Sequence, residues 1–173
     1  MHSFLSLMNT LSIKRVPTLF LKAALVVIAV AVVVVATLLF PHMWPGMMGR
    51  QIPVFVQFIY PGVSGIYASI IPFLFALFQA FLLLQNIDRN NAFSESSVKA
   101  LNAIKFSAIA MSVCYAFALP MIFIFAELDD APGVVLIGLA ITGAPLIVAT
   151  FAAVLQKLVR SAIDLKTEND LTV

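Results

Sequence analysis

Four long runs without a charged side chain constrain this sequence more than any other feature. They contain no Asp, Glu, Lys, Arg or His and are 18 to 22 residues long: Ala23–Phe40, Ile66–Leu84, Phe106–Phe125 and Val134–Leu155. An α-helix rises 1.5 Å per residue, and bilayer hydrocarbon is about 30 Å thick, so about 20 apolar residues span it. Each run therefore predicts one membrane-spanning helix.

The composition excludes a water-soluble domain. The chain is 62% hydrophobic and 10% charged, whereas soluble domains are about half apolar and a quarter charged. Within hydrocarbon every backbone N–H and C=O must pair inside its own segment, so continuous apolar runs favour helices. We expect an all-α integral membrane four-helix bundle over residues 1–173, with spans at about 19–40, 66–84, 103–126 and 133–156 and a C-terminal helix and tail over 157–173.

The basic residues predict the orientation of the bundle. Nine of the ten Lys and Arg residues lie before or at the start of span one, between spans two and three or at the start of span three, or after span four; only Arg50 lies elsewhere. Positively charged loops remain on the cytoplasmic side of a membrane. Both termini are therefore predicted to be cytoplasmic.

The connection between spans one and two is unusually apolar for a loop. It covers residues 41–65 and contains four prolines, which should divide it into short pieces. Its aromatic residues suit the outer headgroup layer or a cap over the bundle. A copper site is an alternative interpretation because thioethers and imidazole suit copper; its candidate ligands are His42, Met43, Met47 and Met48.

Helix signals at the cytoplasmic side are the clearest local pattern. Ser94 is typical of an N-cap, Phe93 and Val98 have the spacing of a hydrophobic staple, and Glu95 can pair with Lys99 one turn later. The apolar stripe after span four predicts that the last helix continues to about Lys166. A polar tail follows over residues 167–173.

Few polar or helix-distorting residues lie inside the spans, and we interpret them as packing positions. Small residues allow helices to approach closely, a hydrogen bond between Gln79 and Ser112 would satisfy both side chains, and prolines can kink helices and open an outward-facing crevice. These positions are Pro72, Gln79, Ser112, Pro120, Gly138, Thr142 and Pro145.

No catalytic constellation is present in the sequence, so we expect a protein that is not an enzyme and holds no cofactor. One cysteine excludes an internal disulfide framework. A net charge of +2 gives no reason to expect direct nucleic-acid binding. Proton-coupled pumps need an intramembrane carboxylate or histidine, and the four runs have none.

Two motifs resemble a known family. The segment Ile87–Ser94, followed by Val98–Leu101 and Ile104–Lys105, is similar to the segment typical of the bacterial domain of unknown function 2975 family. The ending Glu168–Val173 resembles that family's Glu-Asn-Asp-Leu-Thr-Ile tail, with Val173 in place of the usual Ile. The resemblance implies a small four-span plasma-membrane protein, often encoded beside a helix-turn-helix regulator, with an uncharacterised role.

Partner binding is therefore the leading functional hypothesis. The cytoplasmic loop and tail would bind a cytoplasmic protein, which could be a tethered transcriptional regulator. The candidate binding residues are Asp88, Asn91, Phe93, Glu168, Asn169, Asp170 and Leu171. The alternative is a small transporter, channel or immunity component. This alternative would need a homo-oligomer, because the four uncharged spans of one chain are too few to enclose a pore. The lipid bilayer is an expected partner in either case.

Overall fold

The computed structural model of this chain describes residues 2–39, 41 and 53–171, and all regular elements in these residues are helical. Apolar runs this long satisfy their backbone hydrogen bonds internally, as a membrane requires. We number the α-helices in chain order, and a π-helical turn, Val35–Leu39, extends the first one. They are α1 (His2–Val34), α2 (Pro53–Asp88), α3 (Glu95–Ala116), α4 (Leu119–Leu128) and α5 (Pro132–Leu171).

Four stretches of these helices are long and apolar enough to cross a membrane, which confirms the four predicted spans. They are Thr18–Leu38, Tyr60–Asp88, Glu95–Leu128 and Pro132–Asn169. Each includes most of one uncharged run, and the last three extend well beyond it. These three stretches are thus longer than the roughly 20 residues that the hydrocarbon requires.

Helix α3 occupies the centre of the packing, between α2 and α5, whereas α1 packs on α2. The buried face of α3 is built largely from small side chains, which allow close helix approach. They are Ser97, Ala100, Ser107, Ala108 and Ser112. Many large apolar side chains elsewhere on the four spans are exposed, as expected of surfaces that face lipid.

Several predicted boundaries differ from the observed helices. Helix α2 begins at Pro53, so residues 53–65 are helical rather than part of a broken loop, and Pro61 lies inside the helix. Membrane helices tolerate an internal proline because neighbouring groups satisfy the freed carbonyl. Residues 42–52 lie outside the described residues.

The other two differences concern the third span and the C-terminus. The third span is two helices, α3 and α4, separated at Phe117 and Ala118, and Pro120 lies in the first turn of α4. Proline favours a first turn because it has no N–H to leave unsatisfied there. Helix α5 continues through Leu171 rather than ending near Lys166, so the described part of the expected tail is helical.

Candidate functional site

The loop between α2 and α3 lies at the end of the molecule where basic residues collect, and hydrogen bonds define its shape. Asn90 has a φ of 55°, a left-handed conformation that Asn tolerates better than most residues. The Asn91 N–H donates to the Asn86 carbonyl at 2.9 Å, and the Asn90 N–H donates to the Ile87 carbonyl at 3.1 Å. This pair of bonds is a Schellman motif that ends α2.

Ser94 begins α3 as its N-cap, as the sequence predicts. Its backbone is extended, and its hydroxyl accepts from the Ser97 N–H at 3.3 Å. Ser97 is fully buried, and its hydroxyl lies 3.4 Å from the donating Asn86 amide. The same amide donates to Ser96 at 3.1 Å. Asn86 therefore fastens the end of α2 to the first turn of α3.

Two ion pairs connect the other helices to this end of the molecule. Lys22 on α1 pairs with Asp88 at the end of α2, and its ammonium group lies 5.6 Å from the centre of the Phe81 ring. Arg160 on α5 pairs with Glu95 on α3 at 3.5 Å, and both of these side chains are more than half exposed. The charged groups that end each span thus join different helices.

These contacts differ from the predicted local pairs. Glu95 pairs with Arg160 rather than with Lys99, because α5 places a guanidinium beside the first turn of α3. Phe93 is 63% exposed, whereas Val98, its predicted staple partner, is buried. Its ring projects from a loop that the surrounding hydrogen bonds hold in place.

The candidate partner-binding residues lie on two segments of the chain, the end of α2 with its connection to α3, and the end of α5. Asn91 and Phe93 lie in the loop, and Asp88 is engaged with Lys22. Glu168 and Asn169 are exposed on α5. They lie about 12 Å beyond Arg160 along the helix axis, at 1.5 Å per residue. The side chains of Asp170 and Leu171 lie outside those that the structure describes.

Three of the predicted packing positions, Ser112, Gly138 and Thr142, take part in close contacts between helices. Ser112 donates to the Thr142 carbonyl at 2.7 Å, so its partner is α5 and not Gln79, which is half-buried on α2. Thr142 in turn donates to the Gly138 carbonyl at 2.8 Å. A Cβ on Gly138 would lie 3.0 Å from Ile122 of α4, which shows how closely α4 and α5 approach.

Of the prolines predicted to shape the spans, Pro145 lines a cavity of the described residues, whereas Pro72 and Pro120 line neither of two cavities between the helices. Pro72 is half-buried within α2, Pro120 is exposed and Pro145 is buried within α5. A crevice of about 310 Å³ lies between α1, α2 and α3, but neither Pro72 nor Pro120 lines it. A second groove of about 330 Å³ lies over α3 between α2 and α5, and Pro145 contributes to its wall. Both linings are almost entirely apolar.

Metal binding has no support among the described side chains. They include no group of three or more His, Cys, Asp or Glu residues that could hold a metal ion. The candidate copper ligands His42, Met43, Met47 and Met48 lie outside the described residues.

Several residues that organise this end of the molecule escape prediction from the sequence. Asn86, Ser97 and Gln156 are neutral and could equally well be ordinary surface residues. The signal for the Lys22–Asp88 pair is their depth, because each lies at the same end of its own span. The position of one charged residue at the same end of each span could therefore have suggested that Lys22 and Asp88 pair.

Comparisons with known proteins confirm the predicted resemblance. The family model described as a protein of unknown function (DUF2975) matches residues 45–173. The uncharacterised membrane protein YoaS of Bacillus subtilis (strain 168) is 46% identical over 159 residues, which cover 92% of this chain and 99% of that protein. No solved structure matches.

Proposed function

Because the chain belongs to the DUF2975 family, whose function is unknown, we propose a function from its own exposed residues: it binds a partner protein through the α2–α3 loop and the end of α5. In this proposal it is a non-enzymatic protein of the bacterial plasma membrane. Its basic end faces the cytoplasm, since positively charged loops remain on that side. A transcriptional regulator is one class of protein that such a surface could tether.

The observation that carries the proposal is the exposure of Phe93. Its ring is 63% exposed, although it lies between two spans, in a segment where most residues are polar or charged. Aromatic side chains dominate the binding energy of many protein interfaces. A large ring in a polar loop therefore supports a role in contacting another molecule.

The hydrogen bonds of the loop support the same role. The Schellman motif at Asn90 and the Asn86–Ser97 contact restrict the backbone on both sides of Phe93. A group already held in one position loses less conformational entropy when it binds. The last part of α5 offers a second exposed apolar side chain. Leu165 is 67% exposed and lies shortly before the acidic ending that begins at Glu168.

Photocrosslinking at Phe93 in native membranes tests the proposal. A photoreactive phenylalanine analogue at Phe93 should yield one discrete protein adduct, which mass spectrometry can identify. The same analogue at Phe151, a 66% exposed residue inside a membrane span, is the matched control and should yield lipid adducts. Only lipid adducts at Phe93 would contradict the proposal, because the ring would then be a membrane anchor.

A truncation separates the contribution of the loop from that of α5. Ending the chain after Lys166 removes the acidic ending but leaves the ion pair between Arg160 and Glu95. If α5 contributes to the surface, the Phe93 adduct should weaken while the protein stays folded. An unchanged adduct would restrict the binding surface to the loop.

A further inference from the structure

Lys105 places an ammonium group at the depth where hydrocarbon meets the lipid headgroups. Between Lys105 and the acidic turn at Asp129 lie about 35 Å of helix, at 1.5 Å per residue. The same rise separates Gln156 from the start of α5 at Pro132 by about 35 Å. The hydrocarbon core is about 30 Å thick, so both side chains lie at its boundary on the basic side.

The contacts of Lys105 leave its charge without a counter-ion. Its Nζ donates to Gln156 Oε1 at 3.4 Å and lies 4.8 Å from the centre of the Phe106 ring. The carboxylates that form ion pairs at this end, Asp88 and Glu95, are engaged with Lys22 and Arg160. No carboxylate of the described residues pairs with Lys105, although its side chain is half-buried. A partly desolvated cation is stabilised by an opposite charge.

Lys105 and Gln156 keep several hydrogen-bond donors for which the described residues show no acceptor. An ammonium group has three donors and no acceptor, so the amide atom of Gln156 that faces it must be the oxygen. The amide nitrogen of Gln156 therefore keeps two donor hydrogens, and Lys105 keeps two more. Lys157, next in sequence to Gln156, adds positive charge. Such a set of donors suits the oxygen atoms of a phosphate group.

We propose that Lys105 and Gln156 bind the phosphate of an anionic phospholipid at the seam between α3 and α5. Lipid is the favoured source of this phosphate because the donors lie at headgroup depth, whereas inorganic phosphate would have to leave water to reach them. Basic pockets between membrane helices are known to hold such headgroups. This site is independent of the proposed partner surface, since it uses neither Phe93 nor the end of α5.

Native mass spectrometry of the full chain in detergent tests the site with two defined lipids. The wild-type protein should bind phosphatidylglycerol more tightly than phosphatidylcholine of the same chain length. Lys105→Gln should lower the affinity for phosphatidylglycerol about tenfold, the typical weight of a hydrogen bond to a charged group. Equal binding of the two lipids by the wild type would overturn the proposal.

Two further variants distinguish lipid binding at this site from an effect on folding and from non-specific electrostatic attraction between the protein and anionic lipid. Gln156→Glu places a carboxylate beside Lys105, which should keep the helices together but remove the preference for phosphatidylglycerol. Lys99→Gln makes the same charge change as Lys105→Gln on the same helix, at an exposed position nearer to water. If Lys99→Gln weakened binding as much as Lys105→Gln, or if Gln156→Glu kept the preference, the site would be excluded.

Inorganic phosphate provides the last arm of the experiment. A lipid site should retain phosphatidylglycerol in excess phosphate, because the acyl chains add to the affinity. Displacement of the lipid by phosphate alone would overturn the assignment to lipid.

Discussion

At the scale of single residues, the absence of a side chain at Gly65 allows α2 to approach α3. A Cβ at this position would lie 2.6 Å from the Cys114 carbonyl oxygen. That oxygen belongs to the backbone, so it cannot move aside as a flexible side chain could. We expect Gly65→Ala to lower the free energy of unfolding by about 1–3 kcal/mol, the usual cost of overpacking.

Gly143 provides the matched control for this substitution. It also lies inside a membrane helix, but a Cβ there would meet nothing within 4 Å. Gly143→Ala should therefore leave stability unchanged or raise it by up to about 1 kcal/mol, because alanine is the better helix former. Unfolding titrations of both variants in mixed micelles would measure the difference. Similar losses in the two variants would contradict the packing argument.

Residue contacts divide clearly into those that sequence predicts and those that it does not. The cap at Ser94 is predictable because an N-cap bonds to its own first turn. The partner of Glu95 and the partner of Ser112 are not, since each lies on α5, far away in sequence. A sequence shows that a side chain needs a partner, but only the packing of helices decides which partner it meets.

At the scale of elements, the start of α3 depends on the Ser94 cap. The hydroxyl of Ser94 accepts from the Ser97 N–H, one of the donors that the first turn of a helix leaves unpaired. Ser94→Ala should lower the free energy of unfolding by about 1 kcal/mol. Ser161→Ala, at an exposed position inside α5, should change it by less than about 0.5 kcal/mol. Equal effects in the same unfolding assay would show that the cap contributes nothing.

The lengths of the elements explain why their ends were harder to predict than their existence. Uncharged runs of about 20 residues match the thickness of the hydrocarbon, and most of each run falls within one helix that is long and apolar enough to cross a membrane. They do not report where a helix ends outside it. Asn90 and Asp130 end α2 and α4 in left-handed conformations, and neither residue type commits a chain to that conformation. Helix α2 likewise starts at Pro53, well before its uncharged run.

At the scale of the whole molecule, the ion pairs and the basic residues of the described part of the chain collect at one end, and the helices explain how. Successive spans alternate in direction, so Lys22 meets Asp88 and Arg160 meets Glu95 although the members of these pairs are 66 and 65 residues apart in sequence. The opposite end carries the turn with Glu127, Asp129 and Asp130. The sequence predicts this asymmetry from charge alone. The sequence does not predict the central place of α3. That place depends on the small buried side chains of α3, and the sequence does not show which helices they contact.

The same asymmetry predicts how the molecule lies in the membrane, and one native cysteine makes this simple to test. In a Cys114→Ala background, Asp129→Cys should react with a membrane-impermeant maleimide in intact spheroplasts, because the acidic turn should face outward. Asn91→Cys and Glu168→Cys should react only after permeabilisation, because positively charged ends remain in the cytoplasm. If Asn91→Cys were labelled in intact spheroplasts while Asp129→Cys was protected, the orientation would be the opposite of the predicted one. The proposed partner surface would then face the outside of the cell, and a cytoplasmic regulator could not bind it.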